Sequence, residues 1–153
     1  MALLDWSPEL ELGLAPMDAT HREFVALLNT LNEGSDADLA RLLEEFIAHT
    51  VVHFEQENDW MQRSGFPPVG CHMGEHERVL DLMRQVLAMV KAGQPAAGRI
   101  LIAELPAWFA NHAATMDNAL AWFITQTGFD VNAGRPPAHA CGCGRDHAHT
   151  AAA

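Results

Sequence analysis

The sequence predicts an all-α fold, an antiparallel up-and-down four-helix bundle with an N-terminal arm and a flexible C-terminal tail. Three observations predict it. Apolar residues recur at helical spacing in four long stretches, as in helices that bury one face. Short breaks rich in Gly, Pro, Asp and Ser separate the stretches, which makes consecutive helices antiparallel neighbours. No stretch alternates polar and apolar residues as a half-buried strand does. A chain of 153 residues fits one domain with a sizeable core. The expected division is a bundle over 1–131 and a tail over 132–153.

The elements follow in order. Residues 1–16 read as an extended arm with turn signals at Ser7-Pro8 and Ala15-Pro16, and Trp6 and Leu10 are expected to pack on the bundle. Asp18 is a candidate N-cap for a first helix to Asn32, with Phe24, Leu27, Leu28 and Leu31 inward. Asp36 is a candidate cap for a second helix to Ser64, with Leu39, Leu42, Leu43, Phe46, Ile47, Thr50 and Phe54 as its buried stripe. A third helix is expected over 69–91, with Leu80, Met83, Val86, Leu87 and Val90 on one face. A fourth is expected over 96–127, where Pro106 should cost a hydrogen bond or bend the helix. Beyond Gly128, Gly, Pro, Ala and His dominate and the apolar period stops, as in a mobile tail.

Charge excludes some function classes. A formal net charge of −11 argues against nucleic acid and anionic membranes, which both reward Lys and Arg. The apolar run from Ile100 to Phe109 is interrupted by Glu104 and Pro106 and is too short to cross a bilayer. The first residues lack a basic start and a long apolar segment, so a cytoplasmic location is expected. Three Cys are too few and too clustered for a disulfide framework. Cys71 is expected to be a small buried residue.

Nine His are more than such a chain needs for packing, and His is the commonest metal-ligating side chain. His21 falls on the first helix. His53 and Glu57, four apart, project from one face of the second, and His72 and His76 do the same on the third. His112 on the fourth is followed five residues later by Asp117, a poorer match to one face. Either pair alone is the ordinary pattern of a solvated helix face. Jointly, they aim imidazoles and carboxylates from four helices at one core, where neutral rings without partners are costly. Metal would satisfy them together. Five imidazoles and two carboxylates exceed the four ligands of one zinc. Calcium and magnesium prefer oxygen. Mixed imidazole and carboxylate suits iron or manganese.

The segments Met17 to His21, His49 to Glu57, His72 to His76 and Trp108 to Asp117 together resemble the hemerythrin pattern, in order and spacing, within residues 5–128. The resemblance implies two iron ions with an oxo or hydroxo bridge. It implies that His72, His76 and His112 bind one iron, that His21 and His53 bind the other, and that Glu57 and Asp117 bridge both. One iron then keeps a position for dioxygen, in an oxygen pocket of Trp108, Phe109 and Ala113. The implied function is reversible dioxygen binding, for carriage, storage, delivery or sensing, by a protein that is not an enzyme. The alternatives are a di-iron enzyme acting on dioxygen, peroxide or nitric oxide, and an iron-handling protein. The ligand set favours binding, because ferritin-like di-iron oxygenases use a carboxylate-rich shell.

The sequence departs from the family pattern at four places. Asn58 stands where a second Glu commonly follows the bridging one, His49 where Tyr is common, and Phe66 where Tyr often precedes the Pro. Ala113 replaces a larger aliphatic residue beside His112, leaving more room in the oxygen pocket. Separately, His139, Cys141, Cys143, His147 and His149 form a tract that can capture a soft metal or serve a redox role.

Overall fold

The computed structural model describes residues 2–133. Four helical rods form an up-and-down bundle. The first three are α1 (Ala15–Glu33), α2 (Leu39–Ser64) and α3 (Val69–Lys91). The fourth rod is composite: α4 (Pro95–His112), a π-helical turn (Ala113–Asp117) and α5 (Asn118–Thr127). Ala113, Asp117 and Asn118 all keep right-handed helical backbone, so this rod is continuous. Among the described residues there is no strand, and no helix is long and apolar enough to cross a membrane.

Several boundaries differ from expectation. α1 begins three residues before Asp18, with Pro16 in its first turn, where a missing N–H costs nothing. Asp18 is inside the helix and buried, and its carboxylate accepts the N–H groups of Leu12 and Gly13 at 2.8 and 3.2 Å. It therefore fastens the arm rather than capping the helix. α2 begins after Asp38, and Asp36 instead accepts from the Arg99 guanidinium at 2.8 and 3.0 Å. Arg99 also donates to the Asn32 and Gly34 carbonyls, tying α4 to the α1–α2 connection. Pro106, by contrast, lies inside α4 as expected.

Within the arm, Asn29 receives the Leu3 and Leu4 N–H groups and donates to the Leu4 carbonyl. Leu10 is buried and Trp6 packs partly against the core, as expected. α2 and α5 end at Gly65 and Gly128, both with positive φ (74° and 69°), which only glycine adopts without strain.

The core lies in two apolar blocks. The larger contains Phe24, Leu28, Leu43, Phe46, Leu101 and Leu105, and the smaller contains Met17, Trp60, Met61, Leu120 and Ile124. Along every rod the expected metal-ligating residues fall between the two blocks, so a polar layer crosses the bundle. Gly98 brings α4 close to its neighbours: a Cβ there would meet Leu39 and Val90 side-chain atoms at 2.9 Å.

Candidate metal centre

Each rod contributes to the polar layer through its local geometry. In α2 and α3 a four-residue step returns a side chain to the same face, so His53 with Glu57 and His72 with His76 point inward together and are buried. His112 and Asp117 are five apart, which in an α-helix would diverge. The π-helical turn between them absorbs the extra residue, and both are buried. His21 is fully buried on α1. All seven expected residues therefore converge.

They converge as two groups that share Glu57. One ligand-type atom from each of Glu57, His72, His76, His112 and Asp117 lies within 4.8 Å of all the others, and those of His21, His53 and Glu57 do likewise. His21 Nε2 also lies 3.2 Å from Asp117 Oδ2, so Asp117 faces both groups. His53 Nε2 is 2.8 Å from Glu57 Oε1.

The donor set fits a cation. His112 Nε2 is 3.2 Å from the Nε2 atoms of both His72 and His76. His76 directs its other nitrogen, Nδ1, to Asn58 Oδ1 at 2.9 Å. That bond places the ring proton on Nδ1 and a lone pair on Nε2. Asp117 Oδ1 lies 2.9 and 3.0 Å from His72 and His112, yet neither of its oxygens, nor Glu57 Oε2, has a partner in hydrogen-bond geometry. Buried lone pairs that converge without donors are costly, and a bound metal supplies what they lack.

Without metal, electrostatics keep both carboxylates ionised and pair them with protonated imidazoles. Burial alone would lower the His21 and His72 pKa values, but the Asp117 and Glu57 carboxylates raise both to about 9. Burial opposes ionisation of Glu57 and Asp117, and the surrounding imidazoles hold both below the ordinary carboxylate range. His76 moves the other way, pushed down by burial against the pull of Glu57.

The expected oxygen-pocket residues separate. Phe109 is buried, edge-on to His21 at 5.2 Å and stacked on Phe24 at 4.7 Å. Ala113 is buried in the larger apolar block. Trp108 is half-buried and stacks on His112, centroids 4.8 Å apart, so it lies against the five-donor group. Its indole N–H donates to Glu75 at 2.8 Å. Arg78 holds the Glu75 carboxyl down at about 2, helped by Trp108 and opposed by burial. His49 is half-buried, with centroids 6.4 Å from the His53 ring, outside both groups. Cys71 is exposed, contrary to expectation, because the inward stripe of α3 runs through its neighbour His72. The tract of His139, Cys141, Cys143, His147 and His149 lies outside the described residues.

Two participants were not legible as such in the sequence. Asn58 figured only as a departure from a family pattern, and Glu75 gave no signal. Asn58 lies one helical turn after Phe54, which stacks on the same His76 ring at 3.9 Å and 6°. That four-residue step was the available clue.

A histidine-rich cluster buried across a four-helix bundle defines a helical-bundle metal-binding protein. The profile of the hemerythrin HHE cation binding domain matches residues 12–122, and the chain belongs to that family. It is 45% identical over 131 residues to the bacteriohemerythrin of Ralstonia nicotianae, covering 86% of this chain and 96% of that one. It is 28% identical over 125 residues to the bacteriohemerythrin of Stenotrophomonas maltophilia, covering 79% and 81%. The fold is similar to that of a wild-type hemerythrin crystal structure, with a TM-score of 0.75 at 21% identity over 81% of this chain and 99% of that one.

Proposed function

We propose that this chain is a non-haem di-iron protein that binds dioxygen reversibly. The observation that carries the reading is the unequal division of the donors: a five-residue group and a three-residue group sharing Glu57. His72, His76 and His112 would hold one iron, His21 and His53 the other, and Glu57 and Asp117 both. The imidazole-rich set, the hemerythrin family and the relatives named bacteriohemerythrin support iron over the other metals such donors accept. An iron pair held by these residues would supply the electrons that reversible dioxygen binding requires. The smaller group brings fewer side chains and so leaves room for an exogenous ligand.

The chain's own residues do the rest. Glu57 and Asp117, both buried, supply two negative charges that balance a polynuclear cation in a low-dielectric layer. Phe24 and Phe109 close the His21 side and exclude water there. The π-helical turn points Asp117 inward.

The test is metal analysis followed by anaerobic reduction and exposure to oxygen, with optical spectra by stopped flow. Two irons per chain and a colour that appears with oxygen and fades on its removal are expected. One iron per chain, or immediate oxidation with no oxygenated species, would overturn the reading.

A further inference from the structure

We propose that Asn58 is a positioning residue of the metal centre: through His76 it sets which ring nitrogen faces the metal, and by being uncharged it holds the reduction potential above the value a carboxylate would give. The inference rests on the metal-centre reading above and concerns a residue outside the ligand set.

His76 is fixed on two sides. Phe54 stacks flat on the ring at 3.9 Å and 6°, which sets its plane. Asn58 Oδ1 meets Nδ1 at 2.9 Å, which sets its rotation and tautomer. An amide turned the other way would place an N–H against Nδ1, move the ring proton to Nε2 and close that nitrogen to metal. With Oδ1 inward, the Nε2 lone pair faces the five-donor group, 3.2 Å from His112 Nε2 and 3.3 Å from Glu57 Oε2. By contrast, the buried Nδ1 atoms of His21, His53 and His72 have no partner. His76 is thus the ring whose outer nitrogen is tied to a side chain.

The kind of partner matters. A carboxylate on the outer N–H of a ligating imidazole draws the proton toward itself and makes the ring a stronger donor. It also adds a negative charge near the metals. Both effects favour the higher oxidation state. An amide accepts the same bond without charge, so it preserves orientation and leaves the reduced state favoured. The family pattern commonly carries Glu here, and this chain carries Asn. Asn58 and His76 both line an open cleft of about 370 Å³ that also contains Glu55, Asp81 and Arg84. A charge introduced at position 58 therefore meets solvent and does not by itself break the fold.

The experiment uses the full chain and two near-isosteric variants. Asn58→Asp keeps the acceptor and adds charge. Asn58→Leu removes the acceptor. Cobalt(II) is titrated into the metal-free proteins, followed by visible absorption, and the midpoint potential of the iron-loaded proteins is measured by spectroelectrochemistry. Asn58→Asp should shift the oxidised-to-reduced equilibrium about tenfold toward oxidised, a fall of about 59 mV for a one-electron couple. Asn58→Leu should weaken cobalt(II) binding by about tenfold or more while its metal-free helicity matches the parent. A parent that loads two ions while Asn58→Asp keeps its potential and Asn58→Leu keeps its affinity overturns this inference alone. A parent that loads no metal overturns the centre and this inference with it.

Discussion

His112 Nε2 lies 3.0 Å from Asp117 Oδ1 although the residues are five apart in sequence. At about 100° per residue an α-helix would place them roughly 140° apart around its axis. The π-helical turn brings them back onto one face by holding one extra residue.

Register gives the first prediction. Deleting Thr115, exposed within the π-helical turn, should convert that turn to α and leave Asp117 facing His112. Deleting Ala110, exposed in the regular α4, should rotate everything after it by about 100° and expel His112 and Asp117 from the layer. Metal analysis of the two deletions should show near-parental loading for the first and loss for the second. Equal loss in both would show that the turn has a role beyond register.

Protonation gives the second. In the metal-free chain the raised pKa values of His21 and His72, about 9 against 6.5 unfolded, make a stability contribution that is full below pH 6.5. That contribution disappears as pH rises through about 9. Metal must displace these protons, so loading at pH 7 should release about two per chain. Calorimetry in buffers of different ionisation enthalpy reads the number directly. Heats independent of buffer at pH 7 would contradict it, and release should fade above pH 9.

Ala113 gives the third. It is 1% exposed and sits one residue after His112. A methyl there fills less space than the larger aliphatic residue of the family pattern, so Ala113→Leu should exclude water better. The oxygenated colour should then last several-fold longer before irreversible oxidation. A lifetime unchanged or shortened in both Ala113→Leu and Ala113→Ile would defeat this.

Gly98 gives the fourth. Helix propensity favours Gly→Ala by roughly 1 kcal/mol. Here the added Cβ would sit 2.9 Å from both Leu39 Cδ2 and Val90 Cγ2. Both side chains are buried, and the β-branched Val90 has little rotamer freedom. Overpacking of this kind costs about 1–3 kcal/mol, so Gly98→Ala should lower the denaturant midpoint. A raised midpoint would mean that α4 can shift outward freely.

The four rods and most of the centre were legible in the sequence because both follow one rule. Apolar stripes and the pairs His53/Glu57 and His72/His76 obey α-helical spacing. His112 and Asp117 were harder to read because a π-helical turn has no signature in residue type; only their company with the other five pointed inward. Asp18 and Asp36 looked like caps because Asp suits a cap, yet each serves a contact between segments distant in sequence or beyond the helix end. Asn58 was invisible as a partner of His76 because that bond crosses from one helix to another.

The polar layer divides the apolar interior, with the Phe24–Phe46 block on one side and the Met17–Trp60–Leu120 block on the other. Without metal, the two are coupled across a seam of buried polar side chains rather than by continuous apolar packing. Amide hydrogen exchange should therefore resolve two cooperative units in the metal-free chain, with the α5 end opening below the cost of global unfolding. Metal should fuse them, so that amides of Leu120 and Ile124 exchange only when the whole bundle opens. On this view, the centre is also the hinge pin of the fold's cooperativity.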